Sequence, residues 1–165
     1  MATYAYRPLG HRTIRILQLL SGDGNAPLEG HLTEFTLPTL PESIQDDVPA
    51  LEYECLSYVW GIDKKPFAIS INSAPLPITT SLNSLLKRLR NTIANPPLLW
   101  IDAICISQNE LAEKDLKVAL MSDIYRVARR VIVDLGEYSP DVPQALEFVT
   151  RAGVQGLEQH RFNSF

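Results

Sequence analysis

Apolar and polar positions change period several times along this chain, and each change marks a predicted element. Thr13–Leu20 is apolar and β-branched, as a strand requires. Ser21-Gly22-Asp23-Gly24-Asn25 reads as a turn, and Gly30–Leu37 alternates as its hairpin partner. Pro38 to Pro49 holds three prolines and several acids, so it is a loop. A second block opens with Tyr53–Trp60, a strand broken by Gly61-Ile62-Asp63-Lys64-Lys65-Pro66. Phe67–Ile71 and Leu76–Ile78 flank Asn72-Ser73-Ala74-Pro75, which predicts a small β-ribbon. Thr79 or Thr80 then caps a helix with Leu82, Leu85, Leu86 and Leu89 on one face.

Leu98–Ile106 is almost continuously apolar, the pattern of a strand covered on both faces. Ser107-Gln108-Asn109-Glu110 has the spacing of a capping box, which predicts one long helix from about Gln108 to Arg129. Val131–Leu135 reads as a further buried strand, and Ser139-Pro140 opens a last helix through about Ala152. From Tyr53 onward strands and helices alternate. The expected fold class is therefore α/β, a mainly parallel, flavodoxin-like central sheet flanked by helices. In it Tyr53–Trp60, Leu98–Ile106 and Val131–Leu135 are adjacent and parallel, with the N-terminal antiparallel hairpin at the edge. Residues 1–12 are read as a tail, 13–152 as a single domain, and 153–165 as a C-terminal tail or the stump of a longer protein.

Composition narrows the setting. The chain has 165 residues, 45% of them hydrophobic and 21% charged, which suits one globular domain. A formal net charge of -4 argues against a dominant phosphate-backbone surface, so no nucleic-acid partner is expected. No apolar stretch approaches the roughly 20 residues that span a bilayer, and Met1 to Gly10 lacks a signal-peptide core. Cys55 and Cys105 sit inside apolar runs and read as buried free thiols rather than a disulfide framework. The expectation is a reducing, cytoplasmic location.

Ligands of open α/β sheets sit beyond the carboxyl ends of strands, which directs attention to a few polar residues. The first of the three strands ends in Ser57-Tyr58-Val59-Trp60-Gly61-Ile62-Asp63, and the second carries Asp102 and runs to Gln108. Asp102 interrupts an apolar run, so its carboxylate needs a partner; it is either a structural acid or a ligand contact. Tyr58 and Trp60 are either core aromatics or stacking platforms, and Gly61 turns the chain. On a wheel of the long helix, Glu113 and Lys117 fall inside the apolar arc with Leu111, Leu116 and Val118. They are read either as a functional carboxylate beside a lysine or as an i, i+4 ion pair at the rim.

Several signatures are missing. Gly22-Asp23-Gly24 does not continue as a dinucleotide fingerprint, and no phosphate-binding loop follows a strand. The three histidines, His11, His31 and His160, are far apart and join no cysteine in a metal-ligand pattern, so no metal site is expected. No Gly-x-Ser-x-Gly elbow is present.

Three blocks, in order and at this spacing, resemble the heterokaryon-incompatibility domain of filamentous fungi. They are Tyr53-Glu54-Cys55-Leu56-Ser57-Tyr58-Val59-Trp60-Gly61, then Leu99-Trp100-Ile101-Asp102-Ala103-Ile104-Cys105-Ile106-Ser107-Gln108, then Glu113-Lys114 leading to Met121, Ile124-Tyr125 and Val131-Ile132-Val133. Ile78–Leu82 and Leu89-Arg90 match as well, and the likeness covers roughly residues 13 to 137. Ser107, Lys117 and Asp134 depart from the residues the family usually carries.

The resemblance implies self/non-self recognition and programmed cell death, with self-association, other domains of a parent protein or cell-death factors as partners. It also implies a remote likeness to Toll/interleukin-receptor (TIR) domains, some of which cleave NAD. On that comparison Glu113 falls where those enzymes carry their catalytic glutamate, although the tryptophan–cysteine pair that often precedes it is missing. Two functions follow. One is cleavage of the nicotinamide–ribose bond, with NAD as substrate and no cofactor. There Glu113 is catalytic, and Ser57, Tyr58, Trp60, Gly61, Asp63, Asp102, Gln108 and Lys117 contact the substrate. The other is a non-catalytic, self-associating signalling module in which Glu113 and Lys117 are structural.

Overall fold

Thr13–Leu19 (β1) is buried on both faces: Ile14, Arg15, Ile16, Leu17 and Leu19 are all inaccessible. Such a strand belongs inside a sheet, and the computed structural model, which describes residues 2–23, 26–39, 51–62, 64–92 and 98–134, puts it there. β1 pairs antiparallel with Leu28–Thr36 (β2) along its whole length, Thr13 opposite Thr36 and Leu19 opposite Gly30. The remaining strands are Leu51–Tyr58 (β3), Phe67–Ile71 (β4), Ala74–Ile78 (β5), Leu98–Trp100 (β6) and Ala128–Asp134 (β7). They form one seven-stranded sheet in the order β5-β4-β2-β1-β6-β3-β7.

The sheet is mixed, not mainly parallel. β6–β3 and β3–β7 pair in parallel, as the alternation of strands and helices requires, with β3 between its two neighbours. β1–β6 and the β4–β5 ribbon are antiparallel, while β2–β4 is parallel. The N-terminal hairpin is also not at the edge. Its two strands offer both outer sides to partners, so β2 takes β4 and β1 takes β6, and the hairpin joins the two halves of the sheet. The ribbon turns tightly at Asn72 and Ser73, both at positive φ (48° and 69°), which matches a strand-joining turn.

Thr80–Thr92 (α1) buries Leu82, Leu85, Leu86 and Leu89, the stripe read from the sequence. Thr79 caps it, its Oγ1 accepting from the Leu82 amide at 3.3 Å. Arg90, in the last turn, donates to the carbonyls of Asp23, Ala26 and Pro27 and so ties the β1–β2 loop to the helix.

Two expected elements are divided. The apolar run Leu98–Ile106 is strand only to Trp100, and Asp102–Cys105 forms a short helix (α2). A continuous apolar run signals burial, which strand and helix satisfy equally. The single long helix is instead Leu111–Ala119 (α3) and Met121–Val127 (α4), after which β7 begins at Ala128. The capping box does not form. Glu110 is the N-cap of α3 without a side-chain bond, and Glu113 reaches back to the Ser107 amide instead. On α3, Leu111, Leu116 and Val118 are exposed while Lys117 is buried, so only the charged members of the expected apolar arc turn inward. α4 lies on the Tyr53/Cys55/Trp100 face, where the Tyr53 hydroxyl donates to the Ile124 carbonyl at 2.6 Å and the Trp100 and Tyr125 rings meet edge-on.

Cys55 and Cys105 are buried and unbridged, as expected. The loop after Pro38 lies mostly outside the described residues. The helix from Ser139 to Ala152 and the tail 153–165 lie entirely outside them. Among the described residues no helix is long and apolar enough to cross a membrane.

Candidate functional site

The candidate residues separate into two corners of the molecule. The first is built around Arg15, a charged residue in the middle of the apolar strand β1 and only 3% exposed. Burying a guanidinium requires partners for all its donors. Nη1 donates to Glu113 Oε1 at 2.6 Å and to the Cys105 carbonyl at 3.0 Å; Nη2 donates to Glu113 Oε2 at 3.1 Å and to the Arg7 carbonyl. The Tyr6 ring covers the guanidinium at 4.8 Å, and its hydroxyl donates to the Ile104 carbonyl. Glu113 Oε1 also accepts from the Ser107 amide at 2.9 Å.

Burial alone would raise the Glu113 pKa, but the Arg15 guanidinium and the Ser107 amide together hold it below the ordinary carboxylate value. Lys117, one turn on, does not bond Glu113. Its Nζ donates to the carbonyls of Gly10 and His11 at 3.1 and 3.4 Å, and burial lowers its pKa. The i, i+4 ion pair is therefore replaced by an ion pair to Arg15 and a lysine tied to the N-terminal segment.

The second corner lies beyond the carboxyl ends of β3 and β6, beside the start of α1. Asp102 opens α2, half-buried, with Oδ1 accepting from the Ala103 amide at 2.7 Å. Burial raises its pKa, partly offset by that amide and by the Trp60 indole. Gln108 supports the turn by donating Nε2 to the Asp102 carbonyl at 2.9 Å, so its donors serve the backbone. Tyr58 ends β3 with its hydroxyl buried; Thr79 approaches without reaching hydrogen-bond geometry, and burial pushes the phenol pKa up. Trp60 is 39% exposed between Val59 and Ile62, both open to solvent. Gly61 sits at φ +71°, and a Cβ there would meet Ser81 Oγ at 2.6 Å, so the loop lies directly on the first turn of α1.

The structure thus gathers Tyr58, Trp60, Gly61, Asp102 and Gln108. Ser57 alternates to the opposite face of β3, the side of Tyr53 and Cys55 that α4 covers. Glu113 and Lys117 belong to the other corner. Asp63 lies outside the described residues. Sequence reasoning missed Arg15, although a lone charge within Ile14-Arg15-Ile16-Leu17 is the same signal that singled out Asp102. It also passed over Glu54, buried in β3, whose Oε1 accepts from Arg130 Nε at 2.8 Å while Oε2 has no partner. Among the described residues no group of three or more histidine, cysteine or acidic side chains could hold a metal ion.

Comparisons with known proteins agree on one likeness. The family model described as "Heterokaryon incompatibility protein (HET)" matches residues 53–164. The chain is 35% identical over 123 residues to "Heterokaryon incompatibility protein 6, OR allele" of Neurospora crassa. That alignment takes in 67% of this chain and 18% of the relative, so the chain spans less than a fifth of its length. No solved structure matches the chain.

Proposed function

This chain belongs to the heterokaryon-incompatibility family, and from that membership we propose that it acts inside the cell in self/non-self recognition and cell-death signalling, as a non-catalytic module that engages other domains or cell-death factors. The state of Glu113 carries the non-catalytic reading. A carboxylate assisting nicotinamide departure must face the positive charge that develops on the ribose. Glu113 instead faces the permanent charge of Arg15, with Oε1 shared between a guanidinium nitrogen and an amide and Oε2 on the second guanidinium nitrogen. That arrangement favours a role in holding β1, α2 and α3 together. Measuring nicotinamide release from NAD by the purified chain, at rising protein concentration, tests the reading. The expected result is no release above a heat-denatured control, with cell death retained when the same chain is expressed in a fungal host. Release that Glu113→Gln abolishes in a folded protein overturns it.

One observation favours a second reading. Asp102 has a raised pKa and stands near the half-exposed Trp60 at the ends of two parallel strands, where α/β sheets hold nucleotides. In that reading a planar ring stacks on Trp60 and Asp102 meets the ribose. If NAD is cleaved there, Asp102→Asn removes turnover while Glu113→Gln lowers only stability.

A further inference from the structure

The two ends of the sheet are finished differently. β5, at one end, carries Pro75 and Pro77, which lack N–H donors, and the Tyr4 amide donates to the Pro75 carbonyl at 2.9 Å. That edge is closed to further strands. β7, at the other end, is seven residues long and contains neither proline nor glycine. Its outer row of backbone groups meets no strand among the described residues. At its centre Val131 and Val133 are 42% and 48% exposed. An edge left unpaired among the described residues is a template for another strand.

We propose that β7 pairs antiparallel with β7 of a second copy of this chain, with Val131 opposite the partner's Val133 and Arg130 opposite the partner's Asp134. The register comes from the sequence Arg130-Val131-Ile132-Val133-Asp134, which is self-complementary about Ile132. Antiparallel pairing about that residue sets valine on valine twice and a cation on an anion twice, as a two-fold interface requires. Alternation puts Arg130 and Asp134 on one face of the sheet and the two valines on the other.

The charged face is already prepared within each copy. Arg130 is held by Glu54 at 2.8 Å and Asp134 by Arg88 at 2.8 Å. Pairing in this register extends these into a row of alternating sign, Glu54, Arg130, the partner's Asp134 and the partner's Arg88. Because the β5 edge is blocked, assembly stops at two copies instead of growing into a filament. The association is read as mass and linkage, whether or not NAD is cleaved.

Sedimentation equilibrium of the 18.5 kDa chain tests the association. The expected mass rises with concentration to about twice the chain mass and no further, as a closed two-fold pair requires. Val133→Lys changes a side chain already open to solvent, so at dilutions where both proteins are monomeric it keeps the melting temperature. It raises the dimer Kd by roughly tenfold or more, since each interface gains two buried charges without partners. For the register, Val131→Cys and Val133→Cys chains are mixed and oxidised, the two native thiols being buried. A disulfide forms in the mixture and in neither variant alone. A single 18.5 kDa species up to the solubility limit, a dimer indifferent to Val133→Lys, or cross-linking of one variant with itself overturns the proposal.

Discussion

Arg15 in β1 grips both carboxylate oxygens of Glu113 in α3, Nη1 at 2.6 Å and Nη2 at 3.1 Å, across 98 positions of sequence. The fork-to-fork geometry, with Arg15 buried and Glu113 mostly covered, makes this one of the strong ion pairs. The pair fixes where α3 sits relative to the sheet.

Glu113→Gln keeps the side-chain volume and removes the charge that Arg15 faces. The carbonyls of Cys105 and Arg7 remain on Arg15, so the cost falls toward the low end for a broken buried pair, about 3 kcal/mol. Chemical denaturation of wild type and variant at neutral pH gives the difference. A loss well under ~1 kcal/mol, the range of a surface pair, would show that the pair is solvated.

The two carboxylates respond to acid in opposite senses. Glu113 has a folded pKa held below its ordinary 4.5, so its contribution is complete above that value and is lost as pH falls through the folded pKa. Asp102 has a folded pKa raised above 3.8; it costs stability at neutral pH and returns that cost on protonation. Glu113→Gln should therefore flatten the acid limb of stability against pH. Asp102→Asn should gain on wild type at neutral pH and lose that gain in acid. Denaturation midpoints measured from neutral pH down to the acid transition check both signs.

Gly61→Ala should destabilise the fold by ~1 kcal/mol or more through the left-handed backbone alone. The new methyl also meets Ser81 Oγ, so pairing it with Ser81→Ala should recover part of the loss. Melting temperatures of the single and double variants measure the recovery. Equal losses would place the strain in the backbone only.

Cys55 and Cys105 should resist thiol reagents in the native protein and react fully after denaturation. Burial pushes both thiols up to about 12, so neither supplies thiolate at neutral pH. Labelling of either one faster than global unfolding, followed by mass spectrometry, would contradict the buried positions.

Elements whose signal is local were legible in the sequence. The α1 stripe, the β1–β2 hairpin and the Asn72-Ser73 turn depend on neighbouring residues, and all three formed. The parallel set around β3 was also legible, because apolar runs separated by helices leave few other pairings. Sheet order was not, since a hairpin carries no mark saying whether its outer sides stay free. The run after Leu98 shows another limit: hydrophobicity reports burial, and Asp102–Cys105 satisfied it as a helix. At the site, the wheel picked Glu113 and Lys117 as inward-facing, but it compares only residues of one helix. Arg15, the true partner, lies on a strand 98 positions earlier and is invisible to any helical period.

The bonds of the N-terminal segment set a timetable for folding on the ribosome. Tyr6 and Arg15 find their partners 98 residues later, and Lys117 finds Gly10 at a separation of 107. At synthesis rates of ~5–20 residues per second, these contacts wait on the order of 5–20 seconds after the first strands are made. Through that interval the apolar faces of β1 and β2 can pair with each other but cannot be closed over, and the Arg15 charge has no carboxylate to meet. A nascent chain whose emerged part ends before Lys117 should be a better chaperone substrate than one whose emerged part extends beyond Asp134, where the described contacts of the N-terminal segment are within reach.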